Sequence, residues 1–107
     1  LLDPVTAISG SGPAYIFLMI ECLTQAGLEN GLPQKLASTL ALKTVSGAGL
    51  LALESSETPE QLRQNVTSPG GTTFEALQVL TANNNGLKRL ISDAVSAATR
   101  RSRELAD

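Results

Sequence analysis

Apolar positions recur at helical spacing along most of this chain, and the spacing breaks where glycine, proline and asparagine gather. Pro13 is a good first helical residue, and the pattern after it predicts a helix over 13–30 that stops at Gly31. Leu32-Pro33 restarts the chain, and Leu36, Leu40, Gly47, Ala48 and Leu51 keep helical period to about residue 54. Thr58-Pro59-Glu60-Gln61 has the form of a capping box and opens a short helix to about residue 66. Thr67-Ser68-Pro69-Gly70-Gly71 is a break. Thr72 and Glu75 read as a second capping box, starting a helix at Thr72 or Thr73 that runs to about residue 82, where Asn83-Asn84-Asn85-Gly86 ends it. The last helix, over 87–105, carries Leu87, Leu90, Ile91, Ala94, Val95 and Ala98 on one stripe. Val5-Thr6-Ala7-Ile8 is the one short extended candidate, with Ser9-Gly10-Ser11-Gly12 as a flexible link behind it. The expected fold is all-α, a bundle of about five helices in one domain over 1–107.

Two helices depart from an ordinary amphipathic pattern. Nine of the ten residues over 14–23 are apolar, with only Glu21 interrupting, so this helix is apolar all round. In a domain this small such a helix is surrounded either by a partner's residues or by an unusually central placement, and self-association is the expectation. A membrane span is set aside because Glu21, Gln25, Gly27 and Glu29 interrupt the run short of the roughly 20 apolar residues a span requires. In the next helix, Gly47 and Gly49 each cost on the order of 1 kcal/mol relative to Ala, and a close helix crossing is the expected reason.

Composition narrows the chemistry. Eight basic and ten acidic residues give a net charge of −2, without the basic excess that phosphate backbones require, so nucleic acid is not an expected partner. Histidine is absent and cysteine occurs once, which excludes a His-based triad, a Cys/His zinc site and an internal disulfide. Cys22 reads as a buried small hydrophobe, and the composition fits a reducing, cytoplasmic setting. The opening Leu1-Leu2-Asp3-Pro4 has no initiator Met or signal architecture and reads as the continuation of a longer polypeptide.

Gly10-Ser11-Gly12 imitates the start of a dinucleotide fingerprint, but Tyr15 stands where a Gly or Ala belongs and no second strand follows. The stronger signal is Thr67-Ser68-Pro69-Gly70-Gly71-Thr72-Thr73, which joins a Gly-rich turn to a helix start. Unpaired N–H donors, a partial positive charge and short hydroxyls there suit a carboxylate or phosphate without a lysine or arginine. A Pro-Gly-Gly turn before a Thr cap is also ordinary structural punctuation. The chemistry of these residues alone leaves both readings open.

Asp3-Pro4-Val5-Thr6-Ala7-Ile8-Ser9-Gly10-Ser11-Gly12-Pro13-Ala14-Tyr15, then Gly31-Leu32-Pro33, then Val66-Thr67-Ser68-Pro69-Gly70-Gly71-Thr72-Thr73 closely resemble the C-terminal domain of pyrroline-5-carboxylate reductases. Asp93-Ala94-Val95 and Arg101-Ser102-Arg103-Glu104-Leu105 are similar as well. The resemblance implies a helical domain that interlocks with its mate in a homodimer, behind an N-terminal Rossmann domain that binds NADPH or NADH and is not in this chain. Larger assemblies of dimers occur in the family, and no residue here decides between them.

The implied activity is reduction of 1-pyrroline-5-carboxylate to L-proline, the last step of proline biosynthesis. Carried onto matching positions, Ser68, Gly70, Gly71 and Thr72 hold the substrate carboxylate, and Thr73 approaches the ring nitrogen as the catalytic residue. Thr6 is a weaker substrate-site candidate, with packing beside the first helix as its plain alternative. Glu54 and Glu57 lie near a loop where the family sometimes places an acidic residue, and neither is assigned a role. No cofactor or metal ligand is expected in this chain. Two alternatives remain: a purely structural dimerisation module with no ligand, and a phosphate or nucleotide binder.

Overall fold

The computed structural model describes residues 1–106. They form helices α1 (Leu2–Val5), α2 (Gly12–Glu29), α3 (Gln34–Glu54), α4 (Pro59–Asn65), α5 (Thr72–Leu80) and α6 (Leu87–Ala106), with a π turn at Thr6–Gly10 between α1 and α2. No strand occurs among the described residues. Contacts divide the chain into two compact units, one of residues 12–58 and one joining 1–11 to the residues from 59 onward.

The first of these units is the α2–α3 hairpin. Gly31 takes φ +96°, Leu32 N–H donates to Gly27 O at 3.0 Å and Gly31 N–H to Leu28 O at 3.1 Å. This is a Schellman ending, and Pro33 then holds the extended backbone that precedes α3. Ala37 and Ala41, one helical turn apart, are the buried residues of α3.

Close approach falls at Gly27 rather than at Gly47 or Gly49. A Cβ on Gly27 would sit 3.1 Å from Ala37 Cβ and 3.3 Å from Leu32 Cδ1, whereas one on Gly47 or Gly49 meets nothing within 4 Å. The expected crossing at Gly47 and Gly49 is thus not made within the chain. Gly27→Ala should destabilise the protein by about 1–3 kcal/mol through overpacking, read as a lower urea midpoint. Gly47→Ala in a helix with open space should instead stabilise by roughly 0.5–1 kcal/mol, and a loss there would place a neighbouring chain against α3.

In the other unit the extended candidate over 5–8 is helical. Ser11 N–H reaches back to Thr6 O at 2.9 Å, the long-range helical bond that defines the π turn, so the expected flexible link continues the helix instead. α1 and the π turn pack on α6, and Ala7 is fully buried there. Ser102 Oγ donates to Asp3 Oδ1 at 2.7 Å, tying α1 to α6. These tertiary contacts override the strand preference of Val5, Thr6 and Ile8.

A core is nearly missing. Among the described residues the buried apolar ones are Ala7, Ala37 and Ala41, no large side chain is fully buried, and Ile16, Phe17 and Leu18 of α2 are all exposed. Cys22 is exposed as well, against the expectation that it is buried. Leu2–Glu29 and Gln34–Glu54 are both long and apolar enough, by length and composition, to cross a membrane, so interruption by Glu21 and Gly27 does not disqualify the first on those grounds.

Candidate functional site

The segment 67–73 is built by two different demands on glycine. Gly71 N–H donates to Ser68 O at 3.0 Å, and Gly70 between them takes φ +70°. Proline at the second position and a positive φ at the third make this a type II turn, which any side chain at Gly70 would strain. Gly71 has φ −83° and ψ −177°, extended backbone open to any residue, so its constraint is space. A Cβ there would lie 2.6 Å from Ser68 Oγ and 3.3 Å from Ser68 O. Upstream, Thr67 Oγ1 donates to Arg63 O at 2.6 Å and closes the end of α4.

Gly71 is the residue that precedes α5, and no side chain caps that helix. The expected capping box of Thr72 and Glu75 therefore does not form, because Thr72 already lies inside the first turn and cannot reach back as a cap. Glu75 N–H is the first to find a helical acceptor, Gly71 O at 3.1 Å. The amides of Thr72, Thr73 and Phe74 precede it and have no carbonyl one turn back within the helix. Ser68, Gly70 and Thr72 are exposed, and Gly71 and Thr73 are half-buried. Residues 67–73 include no lysine or arginine, and the acidic residue of the first turn is Glu75. The helix start offers an anion neutral donors and the positive end of a short dipole.

The structure thus brings Ser68, Gly70, Gly71, Thr72 and Thr73 onto one turn and helix start, while Thr6 stands on the π turn that packs against α6. Gly71 cannot give its amide freely, since Ser68 O already accepts it; its part is to let the serine lie close. Glu54 ends α3, and the backbone N–H of Glu57 is held by Ser55 Oγ at 3.0 Å in the loop beyond it. The local space at Gly71 is the feature that reading the sequence missed. A serine three residues before a glycine is a signal only once the turn geometry is known.

Gly10-Ser11-Gly12 does not fit a dinucleotide. It lies in continuous helical backbone rather than between a strand and a helix, so its amides are not turned towards a pyrophosphate. No group of three or more potential metal-ligating side chains occurs among the described residues.

Fold and site together define a helical assembly domain: two long apolar helices lack cover, and a short helix presents bare amides behind a closed turn. The chain belongs to the pyrroline-5-carboxylate reductase dimerisation family, whose model matches residues 1–105. It is 48% identical over 106 residues to the pyrroline-5-carboxylate reductase of Pseudomonas aeruginosa and 50% identical over 105 residues to that of Synechocystis. Those matches cover 99% and 98% of this chain but 38% and 39% of the relatives, so the chain spans under two fifths of their length. Among solved structures it is similar to Plasmodium falciparum pyrroline carboxylate reductase with NADP bound, at TM-score 0.92 and 40% identity over 99% of this chain and 40% of that one. The Coxiella burnetii pyrroline-5-carboxylate reductase matches at TM-score 0.90 and 48% identity, over 96% and 37%. The resemblance drawn from the motifs holds over the chain, and so does the all-helical fold.

Proposed function

We propose that this chain is the dimerisation and substrate-carboxylate-binding part of a cytoplasmic pyrroline-5-carboxylate reductase, which reduces 1-pyrroline-5-carboxylate to L-proline. The observation that carries the reading is the start of α5, where three amides without helical acceptors follow a turn that Gly71 closes against Ser68. A carboxylate placed there accepts from the amides of the first turn and from the hydroxyls of Ser68 and Thr72. Hydrogen bonds to a charged acceptor contribute about 1.5–3 kcal/mol each, enough to fix a small acid without a cationic side chain.

The nicotinamide cofactor, NADPH or NADH, supplies hydride from the portion of the enzyme outside this chain. The residues here orient the imine. With the carboxylate fixed, the Thr73 hydroxyl approaches the ring nitrogen, and its hydrogen bond holds the ring in one orientation. Thr6 remains a second-rank contact from the π turn. The exposed faces of α2 and α3 are covered by a second copy of the chain, so that the working unit is a homodimer with neither lipid nor nucleic acid as partner.

Thr73→Val in the full-length reductase should lower turnover about tenfold or more while leaving the carboxylate's contacts in place. Unchanged turnover and substrate affinity would remove Thr73 from the site. The isolated chain should bind a proline analogue at the start of α5, seen as amide shifts in Thr72 and Thr73, yet reduce no imine. Silence of those amides at saturating analogue favours a purely structural module.

A further inference from the structure

We propose that in the assembled protein Glu21 pairs with Arg63 of a second copy, with α2 lying in that copy's groove between α4, α5 and α6. The inference rests on the dimer reading above and adds the groove, the helix that fills it and the charge pair that sets its register. The groove encloses about 760 Å³ and is lined by the apolar Leu77, Leu80, Leu87 and Ile91 together with the cations Arg63 and Lys88. Arg89 lines it too but is engaged by Asp93 at 3.1 Å. Among the described residues, no acidic side chain pairs with Arg63 or Lys88. An apolar segment that carries negative charge fits this lining.

A small molecule does not meet the need for cover. Ile16, Phe17 and Leu18 of α2 are all exposed, an apolar helix face of the kind that an association partner covers. Two long helices are available to fill the groove, and charge separates them. α3 carries Lys35 and Lys43 and would bring like charge to Arg63 and Lys88. α2 exposes Ile16, Phe17, Leu18 and Leu23, and Glu21 is its one charge before Glu29. Glu21 is exposed and joins no ion pair among the described residues. Burying its carboxylate unmatched within an apolar interface carries a heavy desolvation cost, which a cation lining the groove offsets. Arg63 fits best, since its planar fork meets both carboxylate oxygens.

The test is a charge-swap cycle on the whole chain, with mass and dimer dissociation constant measured by light scattering and sedimentation across a dilution series. Glu21→Arg and Arg63→Glu should each raise the dissociation constant about tenfold or more, and the double variant should recover most of the loss. A double variant no tighter than either single one overturns the pairing, as does rescue of Glu21→Arg by Lys88→Glu instead. Glu21→Gln and Arg63→Gln give the same cycle without charge reversal should a reversed chain fail to fold: additive losses overturn the pair, and a shared loss supports it. The unsubstituted chain separates the two levels of the claim. A monomer at all concentrations sinks the dimer reading and the pair with it, whereas a dimer indifferent to these charges sinks the pair alone. Substrate binding at α5 enters none of these measurements.

Discussion

Phe17→Asp should abolish assembly and leave a chain without a cooperative unfolding transition. The expectation follows from a sign that differs between two states of the same residue. Phe17 is 64% exposed in the single chain, and a polar substitution at so open a site ordinarily changes stability by less than about 0.5 kcal/mol. If a second copy covers α2, the same change removes a large apolar side chain and buries a carboxylate with no cation assigned to it. Loss of a buried Phe alone costs about 3–5 kcal/mol, and a symmetric dimer incurs it twice. That exceeds what a chain with three buried alanines as its apolar core can lose. Light scattering should report monomer mass for the variant, and circular dichroism should show a broad thermal loss of helix. A variant that keeps the dimer mass and a sharp transition would place Phe17 in solvent and overturn the role of α2 in assembly.

The α2 sequence disclosed this much because a helix with apolar residues on every side has no stable arrangement as a lone surface element. Helix boundaries were legible for the same local reasons: Gly31 ends α2, Pro33 leads into α3, Pro59 opens α4, and each acts through its own backbone. Three readings failed where a distant contact decides. Val5, Thr6 and Ile8 look like a strand, yet Asp3 and Ala7 dock their segment onto α6, with Asp3 bonded to Ser102, 99 residues away in the chain. Gly47 and Gly49 look like crossing points, yet the crossing occurs at Gly27, because its partner Ala37 follows only a short turn later. Cys22 looks buried, since apolar neighbours surround it in sequence, but α2 packs on α3 in the single chain and leaves Cys22 exposed.

The candidate site divides along the same line. Thr67 to Thr73 announce a turn and a helix start through residue type alone, but the identity of the cap does not follow from spacing. Thr72 and Glu75 have the right separation for a capping box, and the type II turn shifts the helix start by one residue, giving the cap position to Gly71. An uncapped start leaves amides for a ligand that a side-chain cap would have taken. The failure of the local rule thus falls at the place proposed for function, where under that proposal a ligand would supply the missing acceptors.

Gly71→Ala is the substitution that should reach furthest into that site. Its backbone conformation suits alanine, so no loss arises from φ, and a purely structural turn would tolerate the methyl if Ser68 could rotate away. Rotation clears the 2.6 Å approach to Ser68 Oγ but not the 3.3 Å approach to the Ser68 carbonyl, which is fixed by its hydrogen bond to the Gly71 amide. The turn must open by a few tenths of an ångström and the serine hydroxyl must leave its position at the helix start. In the full-length reductase we expect substrate affinity to fall about tenfold to a hundredfold, with fold stability lowered by only about 1 kcal/mol. Gly70→Ala supplies the contrast: at φ +70° it strains the turn by about 1–2 kcal/mol yet places no methyl against Ser68. If the site works as proposed, Gly71→Ala weakens substrate more than Gly70→Ala does, while Gly70→Ala costs at least as much stability. Equal, small effects of both on the Michaelis constant would mean that the turn only joins α4 to α5, and the carboxylate would have to be sought elsewhere.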